Sequence, residues 1–451
     1  MDDLYSGAWV EAQVARTIEQ WNLCALPSIP TGERYSRAEH RKHEKAYDKG
    51  LRSVQREARR IARSAADRLK AQQRIVALFP PFASTALDLG DEEVELITAS
   101  FLPIGTELAQ WARAFDATLG NQGIVQSCRN AWSCCGMQAL LGQPMELTPS
   151  ILAYSLLYPY SDNYLDHPGL TRADKLQFSE RFRQRLRGGP VAPANAHEAA
   201  VWTMVELIEQ QYPRRAYPQV FDSLLAIHRA QEESLAQLNG CRPKGPPHRS
   251  LDDAELLRIS CAKGGTSVLA DACLTQPLLS EDEIQFAFDW GVLLQLGDDL
   301  QDVREDLRRG STTLFTRAIA EGKPLDTLIV QLLHFSHRIA DRMDRMPNGS
   351  ASLKRLLRRS WRSLILMAVA DVHLFCSPAF LAELEPCSSF RFRFLRERNG
   401  SLDGRQGLYD TLFDAYIDAG EGQRSGPPLP HRSLPQPFTV PLPAFAHGEA
   451  I

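Results

Sequence analysis

Apolar residues recur at helical spacing almost throughout this chain of 451 residues, and no stretch shows the strict alternation of a half-buried strand. The periodicity predicts an all-α protein. With 44% hydrophobic and 24% charged residues, the chain can bury one large core or two smaller ones. Its punctuation divides it into three regions. Residues 1–80 read as an accessory helical region, distinctly basic from Glu33 to Arg74. Residues 81–422 read as the main helical domain. Residues 423–451 carry Pro427, Pro428, Pro430, Pro435, Pro437, Pro441 and Pro443 and read as an extended or disordered tail. Glycine and proline place loops at 188–196 and 240–249, and no fixed-period repeat supports a solenoid.

Several function classes fall away on composition. A net charge of −4 carries no overall nucleic-acid signature. Nine cysteines, an odd number without a CxxC pair, argue against a disulfide framework or zinc site and for a reducing compartment. No N-terminal signal peptide is visible, and the longest apolar run, Leu364 to Cys376, is interrupted by Asp371 and His373, which makes it too short and polar to span a bilayer. The expected location is the cytoplasm. The basic stretch offers a peripheral contact with an anionic membrane surface.

Two acidic helical segments carry the functional signal: Asp162-Asn163-Tyr164-Leu165-Asp166 and Asp298-Asp299-Leu300-Gln301-Asp302. Positions four apart on an α-helix differ by about 40° of rotation, so Asp162 and Asp166 share a face, as do Asp298, Asp302 and Asp306. At roughly 6 Å and an effective dielectric near 20, each like-charged pair repels by about 3 kcal/mol, so a stripe aimed inward calls for a cation or a proton. Acidic pairs at this spacing are also common on solvated helices. What separates these two is their approach. Ser280 and Glu283 form a capping box for a helix expected to run to about Leu307, with Gly310 as its stop, and Ile284, Phe288, Gly291 and Gln295 lead straight into the acidic stripe. Thr148 and Pro149 open the other helix, in which Ile151, Ser155 and Tyr158 lead to Asp162 and Asp166 before Pro168 ends it. In both, the face that should enter the core becomes acidic.

These residues resemble the class I isoprenoid synthases, the group that includes trans-prenyltransferases, terpene cyclases and squalene/phytoene synthases. The resemblance covers roughly residues 100–320. Gln295 to Asp302 looks like the second aspartate-rich motif of prenyltransferases, and Asp306 to Leu314 like the segment that follows it. Lys263-Gly264-Gly265-Thr266 is similar to the segment that contacts diphosphate, and Arg172 lies where that family carries the second of two arginines. The run from Pro103, Glu107-Leu108 and Trp111 through Cys134 is similar to bacterial large terpene synthases of the tetraprenyl-β-curcumene type. Departures are Asn163 for the second aspartate of the first motif, Thr171 for the first arginine and Ser311 for a diphosphate-binding lysine. They thin the positive charge a second diphosphate would need, which favours a one-diphosphate reaction over chain elongation.

The resemblance implies a helical bundle around a central apolar cavity, with magnesium as cofactor and ionisation of a prenyl diphosphate as chemistry. It assigns metal to Asp162, Asp166, Asp298, Asp299, Asp302 and Asp306, with Asp162, Asp166, Asp298 and Asp302 as the catalytic set. Arg172, Arg258, Lys263 and Gln295 would contact substrate. Tyr158, Phe286, Phe288, Trp132 and Trp202 are candidate linings of the cavity, where ring faces stabilise cationic charge, although aromatic residues at helical spacing are also ordinary core. Gly264-Gly265 inside an expected helix from Asp252 to Cys273 suggests a helix break where substrate or another backbone comes close, with a plain helix boundary as the alternative. Partners in keeping with this reading are the prenyl diphosphate, a membrane surface and a second copy of the chain. Three rivals stand beside a terpene synthase: a prenyltransferase using isopentenyl diphosphate, a non-enzymatic helical interaction protein, and an HD-type phosphohydrolase. The last needs a His-Asp doublet, which none of the eleven histidines supplies.

Overall fold

Local signals written in the sequence set the helix ends. In the computed structural model, which describes residues 4–61, 68–167, 169–238 and 251–403 together with 410 and 413, the described residues are helical with no strand. A single antiparallel bridge joins Leu238 to Ser311. The chain opens with α1 (Gly7–Asn22), α2 (Arg37–Ile61), α3 (Arg68–Ala86) and α4 (Asp91–Leu96), and a π-helical turn at Ile97–Phe101 leads into α5 (Leu102–Phe115). The middle comprises α6 (Asn121–Leu140), α7 (Pro149–Asp166), α8 (Arg172–Leu186), α9 (Ala196–Gln211) and α10 (Pro218–Ser234). Then come α11 (Asp253–Thr275), α12 (Glu281–Gln301), α13 (Val303–Arg309), α14 (Leu314–Ala320), α15 (Asp326–Arg345), α16 (Ala351–Asp371), α17 (Pro378–Leu384) and α18 (Phe392–Asp403).

The expected caps form. Thr148 Oγ1 accepts from the Ile151 amide at 3.3 Å, and Ser280 and Glu283 close a reciprocal box at 2.7 and 3.4 Å. Asp252 and Glu255 make a third box that opens α11. The loop between α8 and α9 falls where glycine and proline put it, with Gly188 at φ +81°. The 240–249 loop and the proline-rich tail lie outside the described residues.

α11 and α12 occupy the centre. Both bury residues on every side, as a helix does when neighbours surround it. α11 packs on α12, α10, α1, α6 and α7, while α12 also meets α15 and α16. Gly264-Gly265 does not break α11. A Cβ on Gly291 would lie 2.0 Å from the Gly264 carbonyl oxygen, and one on Gly265 would lie 2.4 Å from the Phe288 ring. The glycine pair lets two helix backbones touch: another backbone does come close there, but α11 neither breaks nor ends at the pair, against both the expected break and the alternative of a helix boundary.

The first 80 residues do not behave as one accessory unit. α1 belongs to the main core: Val14 and Trp21 are buried in it, Trp21 meets the Phe335 ring edge-on at 5.7 Å, and Thr17 Oγ1 donates to Asp289 at 2.7 Å. The basic α2 lies outside, packed on α3, with Glu44 ion-paired to Arg391 just before α18 and Asp48 to Arg398 within it. Among the described residues no helix is long and apolar enough to cross a membrane, and the eight described cysteines are free thiols.

Candidate functional site

The helix expected to run unbroken to Leu307 bends at Asp302, whose backbone (φ −89°, ψ 5°) separates α12 from α13 while the Asp302 amide still reaches the Asp298 carbonyl at 2.8 Å. Gly310 then stops α13 in the left-handed conformation at φ +70°. The bend sits inside the acidic segment and sorts its carboxylates into two environments.

Asp299 faces the α11–α12 contact. It is buried, and it accepts from Ser260 Oγ at 2.7 Å and from Gln295 Nε2 at 2.8 Å. Burial raises its pKa and these two bonds oppose the rise. Both of its oxygens are engaged by protein, as is the Gln295 amide. Asp299 and Gln295 are therefore placed to hold the wall rather than to take metal or substrate from the open side.

Asp298 and Asp302 reach solvent. Protein nevertheless surrounds Asp298 closely: desolvation first, and Asp302 second, push its carboxyl up to about 7, against the opposing charges of Arg129 and Lys263. Asp298 is thus open to solvent on one side and crowded by protein and by Asp302 on the other. Asp306 is likewise raised to about 7 by burial and then by Asp299, Asp302 and Glu305, and Asp302 moves up for similar reasons. Arg309, which opposes both shifts, is ion-paired with Glu305.

Two cations face this rim. Lys263 lies on α11 one turn beyond Ser260, half-buried, and its charge acts on Asp298 and Asp299. Arg129 on α6 acts on Asp298 and Asp302. Arg129 has no counterpart among the sequence-level candidates. Its neighbours Cys128 and Asn130 give no local signal, and its relation to Asp298 spans 169 positions of chain (298 minus 129).

The first acidic segment forms the last turn of α7, but the side chains of Tyr158, Asp162, Asn163 and Asp166 lie outside the described residues. Around them, Tyr160 donates to Asp116 at 2.5 Å and Tyr164 stacks on His197 at 4.3 Å. Arg172 is the first residue of α8, and Thr171 is its N-cap, in a box with Asp174. Arg172 and Arg258 both line a groove of about 410 Å³ between α8, α10 and α11. Arg258, an expected diphosphate contact, is ion-paired there with Glu11 at 2.7 Å and Glu233 at 3.0 Å.

The cavity linings fare differently from expectation. Phe286, Phe288 and Trp202 are buried core: Phe288 fills the space left by Gly265, Phe286 packs on Trp290 at 5.7 Å, and Trp202 stacks on Phe182 at 6.1 Å. Trp132 is half-buried and donates to the Phe101 carbonyl at 2.7 Å. Neither the groove above nor a second one of about 400 Å³ near Leu96 and Met145 is lined by the acidic segment.

Among the described residues no three histidine, cysteine or carboxylate side chains converge as a ready-made metal site. The donors at the rim nonetheless suit magnesium, which takes oxygen ligands, uses one or two carboxylates per ion and completes its shell with phosphate oxygens and water. Burial and mutual repulsion disfavour the ionised form of these carboxylates, and a bound cation would offset that cost. Comparison with protein-family models, curated proteins and solved structures returns no match to this chain.

Proposed function

We propose that this chain is a magnesium-dependent class I isoprenoid synthase, most simply a terpene synthase that ionises one prenyl diphosphate and releases pyrophosphate. The observation that carries the reading is the crowding of the carboxylates Asp298, Asp302 and Asp306 along one segment, with the charges of Lys263 and Arg129 acting on Asp298 and that of Arg129 on Asp302. Carboxylates alone would repel a diphosphate, and cations alone would need no acidic stripe. The two together suit an anion that arrives with divalent metal.

In this reading Asp298, Asp302 and Asp306, together with Asp162 and Asp166 of the first acidic segment, would hold magnesium, which when bound supplies Lewis-acid charge to the leaving group. Lys263 and Arg129 take up the negative charge that grows on pyrophosphate as the allylic C–O bond breaks. The Ser260 and Gln295 bonds keep Asp299 turned into the α11–α12 contact, so that Lys263 and Asp298 stay in register.

The test is pyrophosphate release, with magnesium, from prenyl diphosphates of C10 to C35, each with and without isopentenyl diphosphate. Release without co-substrate supports the terpene synthase. Release only with isopentenyl diphosphate makes the chain a prenyltransferase, and no release from any of them leaves the helical interaction protein as the better account.

A further inference from the structure

The outer face of α2 carries a charge pattern that the acidic site does not use. Arg41, Lys45, Lys49, Arg52, Arg56 and Arg59 are all exposed, and at 100° per residue they fall within an arc of about 80°. The stripe runs for about 27 Å, eighteen residues at 1.5 Å each. None of the six has an ion-pair partner among the described residues. The acids of the same helix are committed elsewhere: Glu44 to Arg391, Asp48 to Arg398, Glu57 to Arg60 and Arg74, and Glu39 to the Ser36 amide. A chain with a net charge of −4 thus concentrates uncompensated positive charge on one straight face.

We propose that this face docks the protein on an anionic phospholipid surface. Charge complementarity selects an anionic partner, and one further observation favours a membrane over a nucleic acid. The exposed side of α2 offers no aromatic ring for base stacking, since Tyr47, its one aromatic residue, is packed on Phe82, Phe390 and Phe394. Docking would hold the protein on the surface where a lipidic substrate resides, a clause that depends on the isoprenoid reading; the docking itself does not.

The experiment is co-sedimentation of the full chain with vesicles of phosphatidylcholine alone or mixed with phosphatidylglycerol, comparing wild type with Lys45→Gln/Lys49→Gln/Arg52→Gln/Arg56→Gln. Circular dichroism melting checks that the variant folds. At about 1 kcal/mol for each basic side chain near an anionic surface, the four changes should weaken binding by roughly a thousandfold. Wild type should bind only the anionic vesicles and leave them as salt rises. Equal binding to neutral vesicles, an unaffected variant, or retention on duplex DNA at salt that releases the vesicles would overturn the proposal. Pyrophosphate release from a short, soluble prenyl diphosphate, measured on the same variant, should be unchanged. If wild type releases none, the isoprenoid reading fails while the docking result stands.

Discussion

Gly291→Ala should destabilise the protein although alanine is the better helix former. The new Cβ would lie 2.0 Å from the Gly264 carbonyl oxygen, where contacts below 3.0 Å are essentially never seen, so α11 and α12 must part by about 1 Å (3.0 minus 2.0). Overpacking of this kind costs about 1–3 kcal/mol, and the upper end applies because both partners are backbone and cannot swing aside. Helix propensity returns up to about 1 kcal/mol, leaving a net loss of about 2 kcal/mol. Melting followed by circular dichroism reads this as a drop of several degrees, at roughly 2–4 °C per kcal/mol in domains of 150–250 residues and less in a longer chain. Gly136→Ala is the control, since its Cβ would meet only Trp290 at 3.4 Å and Leu357 at 3.6 Å, ordinary contacts, and it should be neutral or slightly stabilising. Because Gly264 adjoins Lys263, the same separation should displace that lysine from Asp298. A Gly291→Ala protein as stable as wild type, or more stable, would refute the backbone contact.

Three further outcomes follow from the buried and crowded ionisable groups. His197 is pushed down to about 4 by burial, so between pH 6.5 and 4 the unfolded chain takes up a proton that the fold does not; stability should fall by up to about 3 kcal/mol as pH drops through that window, and His197→Phe, which keeps the ring stack on Tyr164, should lessen the acid slope seen in pH-dependent melting. Asp271, fully buried with one oxygen lacking a partner, is raised to about 7, so its favourable state is present at low pH and lost as pH rises from about 4 through 7. Asp271→Asn should therefore gain stability relative to wild type between pH 5 and 8, and a constant difference across that range would count against the assignment. Asp298→Asn should raise the melting temperature without magnesium by relieving repulsion, on the order of 1 kcal/mol once solvent screening is allowed for, and should weaken any stabilisation by magnesium pyrophosphate seen in the same scan.

Much of the scaffold is legible in the sequence because helix ends are written locally. Thr148-Pro149, Asp252 with Glu255, and Ser280 with Glu283 mark three N-termini within a residue of where the helices begin. Local signals cannot tell which neighbour a face meets. Phe286 and Phe288 have the same spacing whether they line a cavity or fill a core, and only the Gly265–Phe288 fit decides it. The membership of α1 in the core was readable in principle, since Val10, Val14, Ile18 and Trp21 form a helical stripe, but the basic composition downstream dominates the first 80 residues. Of the site, the crowding of Asp298, Asp302 and Asp306 follows from spacing, whereas the inward turn of Asp299 depends on Ser260, a residue on another helix.

The most direct test of the acidic rim does not require knowing the substrate: calorimetric titration of inorganic pyrophosphate into the protein, with and without magnesium, for wild type, Asp298→Ala and Lys263→Ala. The account predicts binding that needs magnesium and is weakened at least tenfold in each variant, about 1.4 kcal/mol or more. Binding that ignores magnesium, survives both substitutions, or does not occur in the folded wild-type protein would contradict it.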